Sequence, residues 1–127
     1  MDDLIIQNKN ENSEYPTVEF YSSTGECLIQ GESYMSDHRI FYKQILNWLE
    51  KYTAKTNRFI DFKFDIDYYN TGSSKEFIEI LGILRKFKED GGSLKITWIL
   101  NGEDLDLMED VSELNSEAGI ETEFIIR

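Results

Sequence analysis

Residues 58–69 read Arg-Phe-Ile-Asp-Phe-Lys-Phe-Asp-Ile-Asp-Tyr-Tyr, and the alternation in this stretch decides the fold. Side chains along a strand point to opposite faces in turn. Phe62, Phe64, Ile66 and Tyr68 are therefore expected on one side, with Asp61, Lys63, Asp65 and Asp67 on the other. A strand covered by helices on both faces reads instead as a continuous apolar run. The stretch predicts a sheet with helices packed over one face and the other face partly open to solvent.

Working outward, a short Asn-Thr-Gly turn leads into a helix expected from about Ser74 to Asp90, with Phe77, Ile80, Leu81, Leu84 and Phe87 as its apolar stripe. Gly91-Gly92 stop it. Leu94 to Leu100 reads as a strand with Ile96, Trp98 and Leu100 inward. A third helix from about Glu103 to Ala118 carries Leu107, Met108, Val111 and Leu114, and a last strand, Ile120 to Ile126, is expected to turn Phe124 inward. Upstream, Asp37 is placed to cap a helix running to about Tyr52, with Ile40, Phe41, Ile45, Trp48, Leu49 and Tyr52 on one side. Thr17–Ser22 and Glu26–Gly31 flank Ser-Thr-Gly as a hairpin, with Gly25 supplying positive φ. Leu4 to Gln7 reads as a short edge strand, followed by a polar loop ending at Pro16. The expected class is α/β: a two-layer mixed sheet with about three helices on one face. No linker composition divides the chain, so residues 1–127 are expected to form one domain, the first 15 being edge strand and loop.

Hydrophobic residues make up 40% of the chain and aromatics 13%, enough for a packed core. Net charge is −12, with 13 Lys and Arg against 25 Asp and Glu. Affinity for phosphate backbones comes from cations displacing counterions, so nucleic acid and anionic membrane are excluded as expected partners. No stretch approaches the roughly 20 apolar residues that span a bilayer. The first residues, Met-Asp-Asp-Leu-Ile-Ile-Gln-Asn, lack the positive and apolar regions of a secretion signal, so a cytoplasmic location is expected. With one Cys and one His, neither a disulfide nor a structural zinc site is expected.

The stretch Asn70-Thr-Gly-Ser-Ser-Lys-Glu76 joins a strand to a helix, where the first turn of N–H groups lacks internal partners. Ser73 and Glu76 have capping-box spacing, which makes Ser73 the expected N-cap. Thr71 and Ser74 sit on either side of it, with Gly72 leaving Thr71 unshielded. Two readings fit. The residues form only a turn and a cap, or Thr71 accepts a phosphate that meets the positive helix end and Lys75.

Other chemistry fits less well. Asp61, Asp65 and Asp67 invite a Mg²⁺-dependent phosphoryl-transfer reading, but alternate residues of one strand lie about 7 Å apart and do not converge. Cys27 falls on the inward side of the hairpin strand, and His38 lies near a helix start without a nucleophile beside it in sequence. Neither a P-loop nor G-x-G-x-x-G occurs. A protein-binding module is the expected class, as a switched regulator or as a constitutive adaptor.

Gly31-Glu-Ser-Tyr34, the helix with Ile45-Leu-Asn-Trp-Leu49, and Tyr69-Asn-Thr-Gly-Ser-Ser-Lys75 together resemble the SiaC family of bacterial regulatory phosphoproteins. The resemblance covers nearly all of the chain after about Tyr15. The family looks like an architectural cousin of STAS-domain anti-sigma-factor antagonists. The resemblance implies a partner switch, with Thr71 as phosphate acceptor and Asn70, Gly72, Ser73, Ser74 and Lys75 shaping the recognition turn. It implies a histidine-kinase-like protein kinase, a PP2C-type phosphatase, and an unmodified form that binds and activates a diguanylate cyclase in biofilm control. It also implies a non-enzymatic chain that binds no cofactor or metal itself. Met35 stands where the family often has proline, Gly72 where serine is frequent, and the match weakens beyond Gly92.

Overall fold

Chain order and strand order coincide in this protein. The computed structural model describes residues 1–7, 13–55 and 58–127. Its elements are β1 (Leu4–Ile6), β2 (Thr17–Phe20), β3 (Glu26–Ser33), α1 (His38–Thr53), β4 (Phe59–Tyr69), α2 (Thr71–Glu89), β5 (Ser93–Leu100), α3 (Leu105–Ala118) and β6 (Glu123–Ile126). One sheet runs β1-β2-β3-β4-β5-β6. The first two pairings are antiparallel and the last three parallel. Parallel neighbours need crossovers, and crossovers of one hand in one direction put α1, α2 and α3 on the same face. The expected two-layer α/β architecture is what forms. Most of the polar loop expected before Pro16 falls on residues 8–12, outside the described residues.

Local chemistry explains the turns. Gly25 adopts φ 78°, and a Cβ there would lie 1.8 Å from the Phe59 carbonyl oxygen, so the hairpin requires glycine. Its carbonyl accepts from Asp61 N at 3.0 Å, which starts the β3–β4 ladder. Asp37 sits at the N-cap of α1 but makes no capping bond. Its carboxylate accepts from the Tyr15 hydroxyl at 2.5 Å instead, so the expected cap is corrected.

The core lies between sheet and helices. Phe64 and Trp98 stack with centroids 4.0 Å apart and planes 9° from parallel, and Phe77 of α2 meets both edge-on. The Trp98 indole N–H has no partner among the described residues. That costs about 1–3 kcal/mol, which ring burial and stacking of at least comparable size offset.

Three placements differ from the sequence reading. Ile40 is 76% exposed, and Tyr42 takes a core position in α1 instead. The face of α1 is set by its packing on α2, which the periodicity alone does not locate. Tyr68 is exposed because the β3–β4 register shifts between Gly31 and Glu32: Ile66 pairs with Gly31 but Tyr68 with Glu32. Asp67 is thus the extra residue of a bulge, and parity flips after it. Tyr69 then packs on Phe77 at 5.4 Å from the helix side, while Tyr68 meets Tyr34 at 5.8 Å. Phe124 is exposed, because β6 begins only at Glu123 and lies at the sheet edge, with no described strand beyond it.

The open face is not uniformly solvated. Asp65 is buried, accepting from Gln30 Nε2 at 2.9 Å and from Arg127 Nη2 at 2.5 Å. Asp67 also approaches Arg127, at 3.5 Å. These aspartates are therefore engaged with a cation of the chain itself, and Asp61 lies further along the strand, opposite Glu26.

Candidate phosphoacceptor turn

Where β4 ends, the chain turns once and enters the 19-residue helix α2. The helix starts three residues earlier than the sequence predicts, at Thr71. Asn70 is the N-cap, with extended backbone at φ −97° and ψ 178°, and its Oδ1 accepts from Ser73 N at 3.0 Å. Its carbonyl takes the first helical bond, from Ser74 N at 3.0 Å. Asn70 is in turn fixed to the sheet, since its N–H donates to Ser33 O at 3.1 Å. Both Asn70 and Ser73 are good capping types. Asn70 wins because Ser73 is drawn elsewhere.

That destination is the core. Ser73 is 0% exposed, and its Oγ lies 2.7 Å from Ser33 Oγ, which lies 2.6 Å from the Tyr42 hydroxyl. Glu76, the other half of the expected capping box, is also buried, and receives Arg39 Nη1 at 2.7 Å. Glu79 holds the same nitrogen at 2.9 Å, and the Glu79 and Glu76 carboxylates drive the Arg39 guanidinium still further above its usual value. His38 stands 3.7 Å from Glu76 and lies against Gly72: a Cβ on Gly72 would come within 2.6 Å of the His38 ring. Gly72 thus makes room for His38, besides leaving Thr71 uncovered.

The three hydroxyls of the turn end in different environments. Thr71 is exposed, Ser74 is half-buried and donates to Thr71 O at 2.7 Å, and Ser73 is closed off. Lys75 is exposed and forms no ion pair among the described residues. The N–H groups of Thr71 and Gly72 lie ahead of the capping bonds, at the positive end of the helix.

Thr71 also borders a groove of about 320 Å³ between α2 and α3, whose far wall is Asp110, Glu113 and Glu117. Tyr69 and Ile78 help line it. Burial first, then the Asp110 and Glu113 charges, push the Tyr69 phenol above its ordinary value. Spacings of three and four put these carboxylates on one side of α3, and the packing of α3 beside α2 is what brings them to Thr71. A larger groove of about 640 Å³ lies between the N-terminal residues and the end of α1. It opens at the opposite end of the parallel strands, whereas α/β sheets present their functional groups beyond the carboxyl ends. Cys27 is buried in the core, and burial raises its thiol well above the ordinary range.

Sheet order, one helical layer and a surface hydroxyl at a helix start define a two-layer α/β domain of known type. SiaC from Pseudomonas aeruginosa, solved in its apo form, superposes with a TM-score of 0.79 at 24% identity, over 100% of this chain and 99% of that one. A chain in the crystal structure of the diguanylate cyclase SiaD in complex with its activator SiaC, from the same organism, superposes at 0.83 with 22% identity, covering 98% of each. An uncharacterised protein of P. aeruginosa strain UCBPP-PA14 is 26% identical over 98 residues, 77% of this chain and 75% of that protein. The model of the SiaC family of regulatory phosphoproteins matches residues 8–126, and the chain belongs to that family.

Proposed function

We propose that this chain is a non-enzymatic partner switch in which Thr71 carries the controlling phosphate. A histidine-kinase-like protein kinase adds the phosphate, a PP2C-type phosphatase removes it, and the unmodified form binds and activates a diguanylate cyclase. Membership of a phosphoprotein family supports the modification. The similarity to a chain from the SiaD–SiaC complex supports the effector class. The observation that carries the acceptor assignment is local. Of the three hydroxyls in the turn, that of Ser73 is sealed against Ser33 and that of Ser74 is tied to the Thr71 carbonyl, while Thr71 is exposed and its hydroxyl makes no hydrogen bond among the described residues.

The physical effect follows from the surroundings. A phosphothreonine brings a charge of about −1.5 to −2. It stands at the positive end of α2 with Lys75 one helical turn on, and faces the Asp110–Glu113–Glu117 wall across the groove. A partner that covers the unmodified turn buries a neutral hydroxyl; covering the phosphate requires desolvating a near-dianion beside three carboxylates. Binding of the unmodified form is therefore strongly favoured.

Titrating the cognate diguanylate cyclase with wild type, Thr71→Ala and Thr71→Glu tests this reading. Wild type and Thr71→Ala should bind alike, and Thr71→Glu should bind at least about tenfold more weakly, equivalent to ~1.4 kcal/mol. Equal affinities for all three would leave a constitutive adaptor in place of the switch.

A further inference from the structure

β6 closes one side of the sheet, and no described strand pairs with its outer edge. Phe124, Ile125 and Ile126 are 43%, 52% and 49% exposed there. A free apolar edge is a template for further pairing, which proteins usually blunt with shortness, charge or proline. The opposite edge is blunted in this way: β1 has three residues and follows Asp2 and Asp3. β6 is also short, at four residues, but its apolar run holds neither charge nor proline, and its charges, Glu123 and Arg127, stand only at the two ends.

We propose that β6 is a self-association surface, on which two copies of the chain pair β6 with β6, antiparallel, about a twofold axis at Ile125. The backbone favours this register. Arg127 N–H donates to Leu100 O at 3.0 Å, and Arg127 O accepts from Gly102 N at 3.0 Å, so Arg127 turns both groups toward β5. Alternation along the strand then turns the N–H and C=O groups of Phe124 and Ile126 outward. A twofold axis at Ile125 sets Phe124 of each copy opposite Ile126 of the other, so these outward groups meet as hydrogen-bonded pairs.

Charge selects the same register. With Ile125 on the axis, Glu123 of each copy lies directly opposite Arg127 of the other, on the open face. No other register confined to residues 123–127 opposes unlike charges. Glu123 already lies 3.8 Å from Lys95, and Arg127 reaches Asp65, so the new pairs extend ion pairs present within each copy. On the helix face, Phe124 and Ile126 of both copies form one apolar strip. A groove of about 510 Å³ beside Phe124 has Ser112, Asn115 and Ser116 as its α3 wall. The α3 residues of that groove carry no charge, in contrast to the carboxylates on the α2 side of the same helix, and Glu121 is the one carboxylate in its lining. Pairing β6 with itself also closes after two copies, whereas β1-to-β6 pairing would run on as an open filament. The contact is small, so the dimer is weak and concentration-dependent. It does not depend on the switch assigned to Thr71.

Sedimentation velocity of the full chain from about 5 µM to about 500 µM spans the range of a weak interface. Wild type should shift from monomer to dimer across it. Glu123→Arg sets arginine against arginine twice, and Arg127→Glu sets glutamate against glutamate twice. Each should weaken dimerisation about tenfold or more, and a 1:1 mixture of the two variants should recover it. Ile125→Lys, which leaves the Arg127–Asp65 pair in place, should be monomeric throughout. A wild type that stays monomeric, charge variants that dimerise as wild type does, a folded mixture that fails to recover, or a dimeric Ile125→Lys would each overturn the proposal.

Discussion

Ser33 and Ser73, 40 residues apart in sequence, face each other with hydroxyl oxygens 2.7 Å apart in a site closed to solvent. One ends β3 and the other lies in the first turn of α2. The Tyr42 hydroxyl from α1 joins them at 2.6 Å, so one buried chain of hydroxyls ties three elements together. With Ser73 fixed inward, helical geometry turns Thr71 outward. The surface position of Thr71 is thus set by a bond that Thr71 does not make.

Replacing Ser73 by Ala should cost about 1 kcal/mol, because Ser33 keeps Tyr42 as its partner and only one neutral hydrogen bond is lost. Ser73→Val should cost more, about 1–3 kcal/mol, since it also overpacks a filled site. Urea denaturation reads both. Phosphate incorporation at Thr71 should survive in the Ala variant, which an acceptor role for Ser73 would not allow.

Asn70→Ala removes the side-chain cap on Ser73 N and should destabilise the protein by about 1 kcal/mol. Asn70→Asp keeps an accepting oxygen at a helix N-terminus and should lie within about 0.5 kcal/mol of wild type. A thermal melt distinguishes the pair.

How much of this was legible in the sequence depended on the range of the interaction involved. The alternation around Phe62 and Phe64, the stripe of α2 and the Gly25 hairpin are local patterns, and the structure follows them. The N-cap did not follow, because Asn70 and Ser73 are both capable caps and Ser33, far away in sequence, takes Ser73 out of contention. Tyr68 and Tyr69 exchanged faces because the bulge at Asp67 arises from pairing with β3 at Gly31, which alternation within β4 cannot reveal. Ile40 depended on how α1 packs against α2, and Phe124 on the place of β6 at the sheet edge.

Gly25→Ala should be strongly destabilising. Positive φ alone costs roughly 1–2 kcal/mol for a residue with a Cβ, and the clash with Phe59 O adds to it. Gly82, where an added Cβ meets nothing within 4 Å, is the control. Its replacement by Ala should gain up to about 1 kcal/mol in a helix interior. Chemical denaturation midpoints of the two variants should move in opposite directions.

Alkaline pH should destabilise the fold. Burial raises the Cys27 thiol above its ordinary 9.0, and burial raises the Tyr42 and Tyr69 phenols above 10.0. Tyr15 is pushed up to about 12, chiefly by its hydrogen bond to Asp37. The unfolded chain therefore loses these protons first and binds fewer of them, so unfolding free energy falls as pH rises. Stability should hold up to about pH 9 and decline through pH 10 to 12, followed by urea midpoints at each pH. The Cys27 thiol should also resist thiol reagents at pH 8 until the protein unfolds.

Phosphopeptide mapping of the protein isolated from its own cells, across growth conditions, tests the central claim most directly. The expected result is a condition-dependent phosphate on Thr71 and none on Ser73, whose hydroxyl is sealed in the core. A phosphate on Ser73, or no phosphate on Thr71 in any condition despite full coverage of the peptide, would contradict it.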